Sequence, residues 1–138
     1  MQRLQGSAKL QYLQSNADIR EPSGNPPDIS IVIPVYNEEE NLDLLYDNLM
    51  AVLGKLERSY EVILIDDGSR DKSFEKLESF HAKNANFKII KFRRNFGQTA
   101  AMRAGFDYSQ GGIIITLDAD LQNDPEDIPN ILAKMQEG

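Results

Sequence analysis

Four times along the chain, a short apolar run rich in β-branched residues gives way to turn chemistry and then to helical periodicity. The runs are Ile29–Val35, Glu61–Ile65, Phe87–Phe92 and Ile113–Leu117. Strand and helix alternating in this way imply parallel strands joined by right-handed crossovers. The expected fold is therefore α/β, a Rossmann-like, mostly parallel sheet with helices on both faces. Ligands of such sheets bind beyond the carboxyl ends of the strands, near the point where strand order reverses. Those strand ends are where unusual polar residues carry information.

The helices can be read from their starts and faces. Asn37 before Glu38-Glu39-Glu40 is expected to cap the first, whose Leu42, Leu45, Leu49, Val52 and Leu56 share one face. Asp71 is expected to cap the second, which carries Phe74, Leu77 and Phe80. From Gly97 to Tyr108 the small residues Ala100, Ala101, Ala104 and Gly105 suit a helix lying close on a sheet, with a stop at Gly111-Gly112. Asp124-Pro125-Glu126-Asp127 opens a fourth helix. Ahead of all this, residues 1–28 are rich in Gln, Ser, Asn and Pro and end in Glu-Pro-Ser-Gly-Asn-Pro-Pro-Asp. They read as a flexible arm, with the folded domain expected over 29–138.

Charge and composition remove several function classes. The chain has 22 acidic and 15 basic side chains, a net charge of −7, so it lacks the basic stripe that nucleic acid requires. Without cysteine there is no disulfide, no thiolate metal site and no thiol nucleophile. No apolar run approaches the ~20 residues of a membrane-crossing helix, and no secretory signal opens the sequence. The expectation is a soluble, cytoplasmic domain.

Each strand end offers a candidate. After the first, Pro34 marks where the backbone leaves the sheet, and Tyr36 and Glu38 follow at a helix start; a plain strand-to-helix turn is the bland alternative. After the second come Asp66 and Asp67, of which one suits a ribose or base N–H, while an Asx turn would explain both. After the third, Arg93, Arg94 and Gly97 make the main basic cluster, suited to an anion, or else a solvated patch. After the fourth, Asp118 and Asp120 place two hard oxygens at a strand end, with Gln122 as a third in an i, i+2, i+4 series. Mg²⁺ or Mn²⁺ holding substrate phosphates needs that chemistry. His81 is expected in solvent, Met102 in the core and Arg103 at the surface. An acidic protein handling a nucleoside diphosphate must neutralise it locally, and a bound metal does so. The inferred reaction is transfer of a group carried on a nucleoside diphosphate.

The segments Ile31-Val32-Ile33-Pro34-Val35-Tyr36-Asn37-Glu38, Asp66-Asp67-Gly68-Ser69-Arg70-Asp71, Arg94-Asn95-Phe96-Gly97-Gln98 and Asp118-Ala119-Asp120-Leu121-Gln122-Asn123-Asp124-Pro125-Glu126 resemble the family-two inverting glycosyltransferases of GT-A fold. The likeness runs from about Ile29 to Gly138 and is strongest to polyprenyl-phosphate glycosyltransferases, such as dolichyl-phosphate mannose synthases and undecaprenyl-phosphate glucosyltransferases. It implies a UDP- or GDP-linked sugar as donor and a polyprenyl phosphate as acceptor, with inversion at the anomeric carbon. Pro34 and Tyr36 would border the base, Glu38 and Asp67 would serve the nucleotide, and Arg94 and Gly97 would line the donor site. Asp118, Asp120 and Gln122 would approach a Mg²⁺ or Mn²⁺ ion. Family members continue beyond the segment matched here and work at the cytoplasmic face of a membrane. The resemblance therefore covers the donor-binding half, with self-association as one consequence of an uncovered surface. Two alternatives stand beside it. One is a nucleotide-binding or assembly fragment without catalysis. The other is a phosphotransferase of haloacid-dehalogenase type, whose Asp-x-Asp pair follows the first strand and not the fourth.

Overall fold

The computed structural model describes residues 25–122 and 124–137. Strands and helices alternate as β1 (Ile29–Val35), α1 (Glu39–Leu53), β2 (Tyr60–Asp66), α2 (Ser73–Lys83), β3 (Phe87–Lys91), α3 (Gln98–Tyr108), β4 (Ile113–Thr116) and α4 (Asp127–Glu137). All pairings are parallel, and the strand order is β3-β2-β1-β4. The chain thus builds outward from β1 through β2 to β3, then crosses back to place β4 on the other side of β1. The order reverses between β1 and β4.

Side-chain alternation along the strands divides the core in two. Ile29, Ile31, Ile33 and Val35 face Leu42, Leu45 and Leu49 of α1 and Leu77 and Phe80 of α2, with Ile128 and Leu132 of α4 in the same cluster. Val32, Ile63, Ile65 and Ile90 face the other way, onto Ala101 and Ala104 of α3. Helices cover both faces, which is why the strands read as nearly unbroken apolar runs. The small residues of α3 allow close packing: a Cβ on Gly105 would stand 2.3 Å from Val32 Cγ1. Of the arm expected over residues 1–28, the described part is the end. There the Asp28 amide donates to Ser59 and its carbonyl accepts from Ile113. Among the described residues no helix is long and apolar enough to cross a membrane.

Two local expectations change in the fold. Asn37 does not cap α1; it sits at φ +54° and its side-chain oxygen accepts from the Arg70 amide at 2.8 Å. The amides of Glu38 and Glu39 instead donate to Ser73 Oγ (2.9 Å) and Asp71 Oδ2 (3.2 Å). Asp71 also accepts from the Ser73 amide at 2.9 Å, as expected for the start of α2. Adjacent parallel strands bring two helix starts side by side, so one acid serves both. His81 is half-buried, its Nδ1–H donating to the Phe87 carbonyl at 2.6 Å, because the short turn into β3 folds back on the end of α2.

Asp71 gives the fold an acid-side sensitivity. Burial alone would raise its pKa, but hydrogen bonds from the Ser73 hydroxyl and amide and the Glu39 amide outweigh it and hold the carboxyl below its ordinary value. A depressed folded pKa means stability that is present above the unfolded value, about 3.9, and lost as pH falls through the folded one. Asp66 has the opposite sign. Burial chiefly raises it, against hydrogen bonds from Ser69 and the charge of Lys91, so its contribution is lost as pH rises through the raised value. Urea midpoints of wild type and Asp71→Asn are expected to differ most near pH 7 and to converge toward pH 3. A constant gap across that range would show that Asp71 acts through shape alone.

Candidate active site

Beyond the carboxyl ends of β1 and β4, where strand order reverses, lies an open cavity of about 150 Å³. β1 and its turn supply Pro34, Val35, Tyr36 and Glu38; the turn after β4 supplies Asp118, Ala119 and Asp120; Asp67 follows β2, and Gln98 begins α3. Six residues singled out from the sequence are therefore brought together: Pro34, Tyr36, Glu38, Asp67, Asp118 and Asp120. A larger cavity of about 390 Å³ lies between the end of α1 and the start of α4, lined mainly by Ala51, Val52, Leu56 and Pro129 with Lys55 and Glu126. It lacks convergent acids and lies away from the strand reversal, so the smaller cavity is the candidate site.

Each acid is held differently. Glu38 is half-buried and accepts from Asn41 Nδ2 at 2.8 Å, which points its carboxylate along the start of α1. Asp66, the last residue of β2, accepts from the Ser69 amide at 3.1 Å and closes its own turn. Asp67 is almost wholly buried, 3% exposed, and its carboxylate reaches sideways to the turn after β3. There it accepts from the Phe96 amide (2.7 Å), the Gly97 amide (3.1 Å) and Asn95 Nδ2 (3.1 Å). Asp118 is half-buried and Asp120 exposed, and Asp120 Oδ1 accepts from the Gln122 amide at 3.1 Å.

Three expected residues are not in the cavity wall. Arg94 is exposed, with its guanidinium 4.1 Å over the Phe96 ring. Gly97 turns its amide to Asp67. Gln122 is exposed: β4 ends at Thr116 and the backbone is already turning at Ala119 and Asp120, with Leu121 at φ +68°, so strand alternation does not extend to it. Gln98, conversely, lines the cavity although its sequence position marked it only as part of a turn. The available signal was that it follows Gly97, a position suited to a helix start, and that a helix start after a parallel strand lies at the ligand end of the sheet.

The acids also bear on a cation. Among the described residues no group of three or more Asp, Glu or His side chains converges as a ready metal site. Asp118 and Asp120 line one cavity, however, and a small hard cation is commonly held by one or two carboxylates plus substrate phosphates. The donor set fits a metal that arrives with, or is completed by, a diphosphate.

The family model for glycosyl transferase family 2 matches residues 30–138. The chain belongs to this family. It is 50% identical over 111 residues to an undecaprenyl-phosphate 4-deoxy-4-formamido-L-arabinose transferase of Shewanella sediminis, covering 80% of this chain and 34% of that one. Its fold matches glucosyl-3-phosphoglycerate synthase of Mycobacterium tuberculosis, solved with Mn²⁺, UDP and glucosyl-3-phosphoglycerate, at TM-score 0.61 and 20% identity, over 85% of this chain and 42% of that one. It likewise matches a mannosyltransferase of Pyrobaculum calidifontis in complex with GDP-Man and Mn²⁺, at TM-score 0.59 and 18% identity, over 82% and 35%. The four-stranded parallel sheet is thus the GT-A glycosyltransferase fold. The chain spans about a third of the length of the curated relatives it matches.

Proposed function

We propose that this family-2 domain carries the donor side of a metal-dependent sugar transfer from a nucleoside-diphosphate sugar, UDP- or GDP-linked, to a polyprenyl phosphate. The observation that carries the reading is the meeting of Asp118 and Asp120 with Pro34, Tyr36 and Glu38 in one cavity where strand order reverses. Pro34 and Tyr36 border the base, while Glu38 and Asp67 serve the nucleotide end. Asp118 and Asp120 would hold Mg²⁺ or Mn²⁺, with Gln122, two residues beyond Asp120, joining them when the site fills, and Arg94 and Gly97 would line the donor. The metal would offset charge on the diphosphate, in the bound donor and as it departs. A phosphate oxygen of the acceptor forms the new bond to the anomeric carbon, the bond from that carbon to the diphosphate breaks, and the electron pair leaves with the nucleoside diphosphate. A single displacement of this kind inverts the anomeric centre. The acceptor is already anionic, so no dedicated base is required. Such chemistry would place the working protein at the cytoplasmic face of a membrane.

A second reading, a nucleotide-binding or assembly fragment without transfer, is favoured by the cavity size. About 150 Å³ is less than the ~300 Å³ at which small-molecule pockets begin, so these walls enclose only part of a donor. Ile114, 43% exposed on the edge strand β4, offers a surface for self-association. Calorimetric titration with UDP-glucose and GDP-mannose, in Mn²⁺ and in chelator, separates these readings from none. Binding of one nucleotide sugar only with metal supports the donor site, and release of nucleoside diphosphate on adding a polyprenyl phosphate supports transfer. Binding without release supports a nucleotide-binding fragment, and no binding at all removes the donor-site reading and leaves assembly alone.

A further inference from the structure

We infer that Asn37 is a positioning residue: its left-handed backbone and its bonds to the turn after β2 hold Tyr36 and Glu38 turned into the cavity. The inference rests on the cavity being the donor site and adds a residue outside the cavity wall. Three residues, Tyr36, Asn37 and Glu38, join the last residue of β1 to the first of α1. The outer two line the cavity and the middle one does not. Side chains of an extended chain alternate in this way, but a helix begins at once at Glu39, so the chain must also bend. Asn37 supplies the bend at φ +54°. Most side chains are strained there, while asparagine is among the few that adopt it. Glycine would adopt it too, with more freedom to leave it.

What keeps the bend is the neighbouring turn. β1 and β2 pair in parallel with Val35 opposite Asp66, so the chain leaves both strands side by side. The Asn37 amide donates to Ser69 Oγ (2.9 Å), and Asn37 Oδ1 accepts from the Arg70 amide (2.8 Å). One residue on, the Glu38 amide donates to Ser73 Oγ (2.9 Å). The Glu39 amide then donates to Asp71 Oδ2 (3.2 Å), and Glu39 Oε1 accepts from the Lys72 amide (3.1 Å). The two turns are thus joined at three successive residues, and Asn37 is where the bend and the bonds coincide. Its anchor is itself held: the Ser69 amide donates at 3.1 Å to Asp66 Oδ1, and Asp66 is 1% exposed.

The consequence for the cavity lies in Tyr36 and Glu38. Tyr36 is 42% exposed, so its direction comes from the backbone that carries it and not from burial. The Glu38 carboxylate is steadied by Asn41 Nδ2, but its place at the start of α1 is set by the same bend. Alanine at position 37 would favour a right-handed backbone and would offer the Arg70 amide no acceptor. The free chain would then spend most of its time with the turn relaxed, and apparent affinity falls by the fraction of molecules that keep the competent turn.

The test measures affinity for UDP-glucose and GDP-mannose in Mn²⁺, the ring resonances of Tyr36 in the free chain, and urea midpoints. Asn37→Ala is expected to weaken binding about tenfold, as when roughly one molecule in ten keeps the competent turn, and to move the Tyr36 resonances. Asn37→Asp keeps an acceptor for the Arg70 amide and tolerates the left-handed backbone. It is expected to bind within about twofold of wild type, with Tyr36 unmoved. Ser30→Ala, at the opposite end of β1, is expected to lower the urea midpoint with affinity unchanged. Wild-type affinity in Asn37→Ala, equal weakening in Asn37→Asp, or equal weakening in Ser30→Ala would each overturn the inference. If Asn37→Ala does not fold, Ser69→Ala decides. It removes the acceptor of the Asn37 amide and is expected to weaken binding about threefold, and unchanged affinity there would overturn the inference. If wild type binds neither nucleotide sugar, the donor-site reading fails and the Tyr36 resonances alone judge the bend. Moved in Asn37→Ala and restored in Asn37→Asp, they support its hold on Tyr36; unmoved in Asn37→Ala, they overturn it.

Discussion

Asp120→Ala is expected to remove almost all of the metal-dependent stabilisation that a nucleotide sugar gives the folded chain. A ligand at a hundred times its dissociation constant stabilises by about 2.7 kcal/mol. Loss of one of the two proposed carboxylate ligands, weakening binding about a hundredfold, leaves roughly 0.4 kcal/mol at the same concentration. For a domain of this size the thermal shift would fall from on the order of 8 °C to about 1 °C. The variant isolates the site because Asp120 is exposed and its carboxylate accepts only the Gln122 amide among the described contacts, so the unliganded fold is barely altered. Differential scanning fluorimetry with Mn²⁺, with chelator and with either nucleotide sugar measures this directly. A shift that survives in Asp120→Ala would separate nucleotide binding from the Asp-x-Asp pair.

The largest stability effect is expected far from that site. Glu61, at the opposite end of the sheet, is 1% exposed and accepts from Ser30 Oγ (2.6 Å), the Gln110 amide (2.7 Å) and Lys88 Nζ (2.8 Å). Ser30 Oγ in turn accepts from the Gly111 amide at 2.8 Å. The cluster ties the starts of β1, β2 and β3 to the turn that leads from α3 into β4. Glu61→Ala would leave a mostly buried ammonium, a hydroxyl and a backbone amide without their acceptor, at about 3–5 kcal/mol. That is a large share of the ~5–15 kcal/mol that holds a typical domain folded. Replacing both charges, as in Glu61→Leu with Lys88→Met, should cost less than Glu61→Ala alone, since no uncompensated charge remains. Urea unfolding of the three chains tests the order. A double variant weaker than the single one would mean that the hydrogen bonds to Ser30 and Gln110 outweigh the charge pair.

Much of the architecture was legible because its cause is local. Apolar runs without alternation read as strands covered on both faces, and the structure places them in one parallel sheet with helices on both sides. The acids at strand ends were legible for a related reason: a charge next to a buried run must face solvent or a ligand. Asn37 misled because a cap was sought within its own helix, whereas Ser73 and Asp71, more than thirty residues away, take those amides. Gln122 was read as a continuation of strand alternation, but β4 ends at Thr116 and the chain is already turning at Ala119 and Asp120.

The sequence by itself determined the parallel sheet, the strand ends that matter and the acidic character of the site, since burial and periodicity act within a few residues of each position. Only the tertiary structure decided that β4 returns beside β1, which is what brings Asp118 and Asp120 to Tyr36 and Glu38. Only it turned the Asp67 carboxylate toward Phe96 and Gly97 and carried Gln98 into the cavity. These are contacts between turns separated by about thirty residues or more. Each depends on which strands are neighbours, and no local pattern records that.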